Sequence, residues 1–343
     1  MIKKEVIIRI YVVCLILVLS IATYFVFYEK EPLTCNDGTP YGNCSATESY
    51  FCANGTLIQK ASICGCSNLT EKNGDDCISK YQTNPINISF NYTLRGKNMQ
   101  INFTVYKGMD DYLSSLPRYI NTDENPNLND FKLRSLNNEE QRQLLIPFFV
   151  GIENLAKDKD DQARIAISLV QNIPFGNSNK TIKFGGIPLD YYRYPYEVLY
   201  DNQGICDEKS ELLSFLLREM GYANAFLYYP KENHEAIGIK CPTIKGLNNT
   251  GYCFVETTGP SIITDYETEY VGIGQLTSVP EIFPIPGNLS FGQENLYEYD
   301  DARTLDSIRE AARTDGAINI IESFQFNSLK KKYGLQDTSQ YTF

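Results

Sequence analysis

The chain has 343 residues, of which 43% are hydrophobic and 21% charged, and its formal net charge is −11. These fractions are close to globular averages, so the chain can bury a sizeable core. The acidic balance argues against nucleic acid as a partner, because phosphate binding requires clustered Lys and Arg.

An uncharged apolar segment of nineteen residues runs from Ile10 to Tyr28. At about 1.5 Å per helical residue it nearly spans a hydrocarbon core of about 30 Å, which predicts a transmembrane helix that holds the protein in the membrane. A cleaved signal peptide is the alternative, although its apolar region is typically about 7–15 residues. Lys3, Lys4 and Arg9 precede the segment. The positive-inside rule therefore predicts a single-pass cell-membrane protein, with residues 1–31 as cytoplasmic tail and anchor and the rest extracellular.

Nine N-x-S/T sequons also favour export and predict a glycoprotein. Their asparagines are Asn43, Asn54, Asn68, Asn87, Asn91, Asn102, Asn179, Asn248 and Asn288.

Six of the ten cysteines crowd into residues 32–80, a stretch with few large apolar residues. Such a stretch is expected to depend on disulfides rather than on a core of its own. The six are Cys35, Cys44, Cys52, Cys64, Cys66 and Cys77. Spacing does not choose among their possible pairings. A zinc site is the competing interpretation, but no C-x2-C pair and no nearby His favour it.

Three cysteines remain in the C-terminal part of the chain, Cys206, Cys241 and Cys253, while Cys14 lies in the apolar segment. If Cys241 pairs with Cys253, then Cys206 is the odd thiol. An odd cysteine in an exported chain is either an intermolecular link or a reactive group.

The rest of the chain mixes strand and helix patterns without regular alternation, which predicts an α+β fold. Residues 81–138 are predicted to form a β-hairpin followed by a polar linker from 121 to 138. Residues 139–265 form the predicted catalytic core, with Pro147 marking a kink or break in its first helix. Residues 266–343 are a C-terminal extension with a predicted helix from about Asp301 to Ala312.

Cys206 stands at the start of a predicted helix. An apolar stripe at helical spacing follows it, and Gly221 occupies the expected C-terminal cap. The stripe comprises Leu212, Leu213, Leu216, Leu217 and Met220. Unpaired N–H groups and the positive end of the helix dipole stabilise a thiolate here and can receive an oxyanion. The adjacent carboxylates of Asp207 and Glu208 oppose the thiolate, so a cationic partner is required.

Strand-like runs after this helix carry His234, the one histidine of the chain, and then Glu256. A Cys at a helix start, a His on one strand and an acid on the next resembles the transglutaminase-like superfamily, which shares its core with papain-like enzymes. The matching motifs are Gly204-Ile205-Cys206, His234, and Tyr252 followed by Glu256-Thr257-Thr258, and the resemblance covers about residues 140–265. Glu256 departs from the usual Asp, and Tyr252 from the usual Trp.

The resemblance implies a transglutaminase-like (papain-like core) domain in which Cys206 is the nucleophile, His234 its proton partner and Glu256 the group that orients the imidazole. It also suggests Gln203 as a second oxyanion donor. The implied reaction is acyl transfer or hydrolysis of amide bonds in a peptide or protein substrate at the cell surface through a thioester, with no cofactor or metal.

Hydrolysis is the favoured outcome, although Asp207, Glu208 and Glu235 offer carboxylates near Cys206 in sequence that could attract an amine. The rival hypothesis is a non-catalytic cell-surface binding protein that retains the fold.

One point of register stays open. In a regular antiparallel hairpin, Cys241–Cys253 and His234–Glu256 cannot both face each other directly, because their position sums differ. Either Pro242 ends the strand and a loop brings Cys241 back, or a bulge shifts the register.

Overall fold

A computed structural model describes residues 11–18, 33–118, 128–184, 187–266, 269–270 and 274–335. It combines helices with antiparallel sheet and disulfide bonds, an α+β architecture. All nine sequon asparagines are exposed, and their glycosylation stays a prediction.

The predicted transmembrane helix is wrong. Within the described ranges, no helix has both the length and the apolar composition required to cross a membrane. Of the segment Ile10–Tyr28, only residues 11–18 are described, as a helix, and the remainder lies outside those ranges. The fold prediction therefore fails where it places the α+β domain behind a transmembrane anchor. The predicted single-pass membrane location, with a cytoplasmic N-terminus and an extracellular catalytic domain, fails for the same reason.

Disulfides hold together the cysteine-rich part of the chain, which has short elements. These are β1 (Tyr50–Ala53), β2 (Thr56–Gln59), α1 (Ala61–Cys64), β3 (Glu71–Asn73) and β4 (Asp76–Ile78). The bonds join Cys35 to Cys52, Cys44 to Cys64, and Cys66 to Cys77. This pairing could not be chosen from the spacing.

The hairpin consists of β5 (Pro85–Leu94) and β6 (Lys97–Tyr106). Its two-residue turn has positive φ at Arg95 (49°) and Gly96 (77°), the conformation that matches the twist of the flanking strands. Phe90 is buried and its ring lies 5.4 Å from that of Phe148, so the apolar face of the hairpin belongs to the main core.

Helices surround this core. They are α2 (Lys107–Ser115), α3 (Leu128–Leu136), α4 (Glu139–Leu155), α5 (Lys159–Asn172), α6 (Pro195–Asp201) and α7 (Cys206–Glu219), with the pair β7 (Thr181–Phe184) and β8 (Ile187–Asp190) between α5 and α6. Helix α3 lies in the predicted linker, and α4 continues through Pro147 without a break.

The sheet that carries the candidate site has the order β11-β10-β9-β14 with antiparallel pairings. Its strands are β9 (Asn224–Tyr229), β10 (His234–Lys240), β11 (Tyr252–Val255) and β14 (Glu281–Ile285); β12 (Glu269–Tyr270) and β13 (Gly274–Gln275) form a separate pair. Helices α8 (Tyr297–Asp315) and α9 (Ile320–Tyr333) follow. Strand β14 comes from the C-terminal extension, so this extension completes the sheet that bears His234.

Candidate active site

Cys206 is the first residue of α7, and its thiol is free and partly exposed. The chain leaves α6 through a left-handed residue, Asn202 (φ 46°), and turns directly into α7. Glu208 then reaches back, and its Oε2 accepts a hydrogen bond of 3.0 Å from the backbone N–H of Ile205. This contact satisfies a backbone N–H group at the start of the helix and with it fixes the position of the thiol.

Glu208 is not available to a substrate, because Arg193 holds it. The Nη1 of Arg193 lies 2.9 Å from Oε2 of Glu208, and the backbone N–H of Arg193 donates to Oε1 at 2.8 Å. Both side chains are buried. Of the two acids that follow Cys206, Asp207 alone stays partly exposed.

His234, the first residue of β10, lies between the thiol and a carboxylate. Its Nε2 is 2.9 Å from Oε2 of Glu256, and its side chain shares a hydrogen bond with Cys206. Burial by itself lowers the pKa of His234, but the negative charge of Glu256 and the hydrogen bonds to Cys206 and Glu256 outweigh it and raise the pKa to about 10. The imidazole is therefore cationic at neutral pH.

Glu256 follows the last residue of β11 and is buried. Its Oε1 accepts hydrogen bonds from the backbone N–H groups of Thr257 (3.0 Å) and Thr258 (2.8 Å) and from the hydroxyl of Thr258 (2.6 Å). Burial raises the pKa of Glu256, but the charge of His234 and these hydrogen bonds overcome it, so the net shift is downward.

Two further contacts tie the segment after β11 to the helices. The Thr257 hydroxyl donates to the backbone carbonyl of Cys206 at 3.2 Å, and Gln171 Nε2 donates to the backbone carbonyl of Glu256 at 2.9 Å. The closing motif Glu256-Thr257-Thr258 includes both threonines, but the sequence assigned them no role. Gln171 lies 85 positions away from Glu256 and gave no local signal.

The register of β10 and β11 resolves the open point about the two residue pairs. Ile239 lies opposite Cys253, and Ile237 opposite Val255. Direct pairing of Cys241 with Cys253 and of His234 with Glu256 would require two different registers, and the observed register lies midway between them. In each of these two pairs, one residue is therefore displaced along its strand from the position that faces the other. Strand β10 ends at Lys240, and the Cys241 and Cys253 Cα atoms are 5.8 Å apart, joined by a disulfide. No bulge is needed.

Gln203 lies in the turn before Cys206, and its side-chain amide is seated over Gly176. A Cβ at position 176 would come within 1.8 Å of the Gln203 Nε2. A side chain at position 176 would therefore displace this amide from its place. The role of Gln203 as an oxyanion donor stays a prediction.

A second buried ionic group lies beside α7, and we call it the lysine–carboxylate cluster: Lys132, Tyr192, Glu211 and Glu235. The Nζ of Lys132 is 3.0 Å from Glu235 Oε1, 3.3 Å from Glu211 Oε1 and 2.9 Å from the Tyr192 hydroxyl. Burial raises the pKa of Glu235 to about 7, even though the charge of Lys132 opposes the shift. Glu235 is therefore already engaged and does not point freely towards Cys206.

A cavity of about 310 Å³ lies next to this cluster, with Asp207 in its wall. Aromatic side chains of Phe131, Tyr192 and Tyr194 line it together with charged groups. A separate open groove of about 610 Å³ lies between the cysteine-rich part and α4 and does not include the candidate triad. Among the described residues, no group of three or more His, Cys, Asp and Glu is arranged to hold a metal ion.

No family model matches the chain, and no curated protein matches it. Among solved structures, the chain is similar to Legionella pneumophila LapG in its calcium-bound form, at 13% sequence identity and a TM-score of 0.21. The match covers 48% of this chain and 96% of that one. A likeness at this level identifies neither the fold nor the function, so the transglutaminase-like resemblance continues to depend on the motifs of the sequence.

Proposed function

We propose that the protein is a thiol-dependent enzyme that cleaves amide bonds in peptides or proteins through a thioester on Cys206. The observation that supports this is the buried imidazole of His234, hydrogen-bonded to both the thiol of Cys206 and the carboxylate of Glu256. A cationic imidazole favours the thiolate form of a neighbouring sulfur, which is the nucleophile in such chemistry.

In the first step, Sγ of Cys206 attacks the carbonyl carbon of the substrate amide, and the carbonyl oxygen becomes an oxyanion. The backbone N–H of Cys206 can receive it, because N–H groups in the first turn of a helix have no intrahelical acceptor. The Gln203 amide is the second candidate donor. His234 gives its proton to the amide nitrogen as the C–N bond breaks, releasing an amine and leaving a thioester and a neutral imidazole.

In the second step, neutral His234 accepts a proton from water, and the resulting hydroxide attacks the thioester carbonyl. The C–S bond breaks, an acid leaves, and the thiolate and imidazolium are restored. Glu256 stays ionised throughout and keeps the ring oriented.

Hydrolysis is favoured over transfer to an amine. Two of the three carboxylates considered for this role are already bound, Glu208 by Arg193 and Glu235 by Lys132, so neither is free to attract a substrate amine.

The test uses the full chain, a mixture of unstructured peptides and mass spectrometry of the products, with a labelled primary amine present in a parallel reaction. We expect peptide cleavage that Cys206→Ala reduces at least about a thousandfold. The matched control is Cys14→Ala, which removes the other free cysteine outside the site and leaves the rate unchanged.

Two results contradict the proposal. Amine incorporation that outpaces cleavage and is lost in Cys206→Ala would make the enzyme a transferase. Peptide binding without any turnover, with Cys206 intact and reactive, would favour a non-catalytic binding protein.

A further inference from the structure

Lys209 is fully buried one helical turn after Cys206. Lysine is almost never fully buried unless its charge is paired. Its ammonium group donates to three backbone carbonyls: Ile173 at 2.6 Å, Thr258 at 3.2 Å and Gln171 at 3.4 Å. These contacts use all three N–H bonds of the ammonium group but supply no negative charge.

Negative charge reaches Lys209 from two groups of the candidate site. Burial is the largest influence on Lys209 and lowers its pKa to about 7, while the charges of Glu256, after β11, and Cys206, on α7, act in the opposite direction. His234 belongs to the same group of side chains, because it is hydrogen-bonded to both Cys206 and Glu256. We call Cys206, Lys209, His234 and Glu256 the thiol cluster.

In the proposed enzyme Cys206 is a thiolate, and the charges of this cluster then balance only with Lys209 included. A thiolate, an imidazolium and a carboxylate sum to one negative charge. An uncompensated charge in a buried site is destabilising by several kcal/mol. A protonated Lys209 brings the sum to zero, which favours the ion pair of Cys206 and His234.

Lys209 also holds the segment that holds Glu256. Thr258 receives a hydrogen bond from Lys209 through its carbonyl, while its own N–H and hydroxyl donate to Glu256. Gln171 has the same double role, since its carbonyl accepts from Lys209 and its amide donates to the Glu256 backbone. Lys209 therefore stabilises Thr258 and Gln171, the two residues whose hydrogen bonds position Glu256 against His234.

The glycine of the Gly204-Ile205-Cys206 motif makes room for this side chain. A Cβ at Gly204 would lie 3.0 Å from Cγ of Lys209 and 3.2 Å from Cγ1 of Val198. The φ of Gly204 is not positive, so close packing against Lys209 and Val198 rather than backbone strain favours glycine here.

We propose that Lys209 is a positioning residue of the site, whose ammonium group balances the charge of the thiol cluster and anchors the Thr258 segment that carries Glu256. Its consequence for catalysis depends on the proposed function. Its effect on the thiol does not, because the reactivity of Cys206 can be measured without a substrate.

The experiment measures the rate of iodoacetamide alkylation of Cys206 from pH 5 to 9 in the wild type, Lys209→Met and Lys209→Arg, with Cys14→Ala in every background. We expect Lys209→Met to slow alkylation about fivefold below pH 7, since a neighbouring positive charge is lost. The difference in alkylation rate between the wild type and Lys209→Met should become smaller above pH 8, where Lys209 itself is neutral. Lys209→Arg, which keeps the charge at every pH, should restore the rate.

Lys240→Met is the matched control, because Lys240 lies on β10 over the Tyr252 ring and outside the cluster; its profile should equal that of the wild type. If circular dichroism shows that Lys209→Met does not fold, Lys209→Gln replaces it, since it keeps donors for the same carbonyls without the charge.

Identical pH profiles of the alkylation rate for wild type and the neutral variant overturn the proposal. A uniform slowing at all pH values overturns the charge role. A pH-dependent difference in a protein that cleaves no peptide supports Lys209 and contradicts only the proposed function.

Discussion

The thiol cluster and the lysine–carboxylate cluster contain residues that are adjacent in the sequence and yet lie in different surroundings. Cys206 belongs to the thiol cluster, whereas Asp207 borders the lysine–carboxylate cluster. Likewise, His234 belongs to the thiol cluster and Glu235 to the lysine–carboxylate cluster. Successive residues of a strand point to opposite faces of a sheet, and successive helical residues are about 100° apart. Adjacency in sequence is therefore poor evidence that two charged groups share a site.

The two clusters also differ in how they meet the solvent. The thiol cluster contains a partly exposed free thiol, that of Cys206. In the lysine–carboxylate cluster, Lys132, Glu211 and Glu235 are each at most 3% exposed, and the lysine is fully bonded. We infer that the second cluster fastens α3 to α7 and β10. Burial of charge alone does not distinguish a reactive site from a structural one.

The largest expected effect comes from breaking the lysine–carboxylate cluster. Lys132→Ala leaves Glu211 and Glu235 without their cation, and we expect a loss of about 3–5 kcal/mol in the free energy of unfolding at pH 8. The loss should be smaller at pH 5, because carboxylates whose pKa is raised by burial can then take up protons. Urea unfolding at both pH values measures this.

The control for this variant is Lys60→Ala, which removes an exposed ion pair with Asp75 and should leave stability nearly unchanged. An equal loss in both variants, or a loss for Lys132→Ala that does not depend on pH, contradicts the structural role of the buried cluster.

A smaller effect separates the clusters by reactivity. We expect His234→Ala to slow iodoacetamide alkylation of Cys206 about tenfold at pH 6, because the thiolate loses its cationic partner. Tyr192→Phe removes a hydroxyl bonded to Lys132 and Glu211 and should leave this rate unchanged. If both variants alkylate at the wild-type rate, Cys206 and His234 do not form an ion pair.

The smallest effect is a pair of opposed pH dependences within the thiol cluster. His234 has its pKa raised from 6.5 to about 10, so the stability it contributes is present below about pH 6.5 and is lost as pH rises to about 10. Lys209 has its pKa lowered from 10.5 to about 7, so the folded state binds fewer protons than the unfolded state in that window, and stability rises with pH. The two slopes offset each other in the wild type.

Removal of His234 or of Lys209 should leave only the pH dependence of stability that the remaining residue contributes between pH 7 and 9.5. The free energy of unfolding should rise with pH in His234→Ala and fall in Lys209→Met, by at most about 1.4 kcal/mol per pH unit. Comparison of each variant with the wild type cancels the contributions of other groups. Equal slopes in the two variants contradict the assignment of these charges.

Much of the local structure around the site could be read from the sequence. The apolar stripe after Cys206 predicted the helix that begins there, and alternating residues predicted the hairpin and the strand that carries His234. Glu256 was predicted to lie on the next strand and instead directly follows it. The six crowded cysteines predicted disulfides. These inferences depend on periods of 3.6 and 2 residues and on helix-capping residues, which are properties of neighbouring positions.

The prediction for residues 121–138 shows where such reasoning stops. The polar composition predicts a linker, yet residues 128–136 form α3, and Lys132 of this helix has its partners on α7 and β10. The transmembrane prediction likewise used length and apolar composition alone, and no described helix meets that requirement.

The sequence by itself predicted the hairpin, the helix that begins at Cys206 and the strand that carries His234, and it indicated which three residue types could form a triad. Only the tertiary structure decided that Glu208 binds Arg193, that Glu235 binds Lys132, that β14 completes the sheet, and that Lys209 reaches the carbonyls of Ile173 and Thr258. These contacts join positions far apart in the chain. They form because a buried charge or donor has no water to bond and needs a partner within the protein. Tertiary packing decides which group is close enough to be that partner.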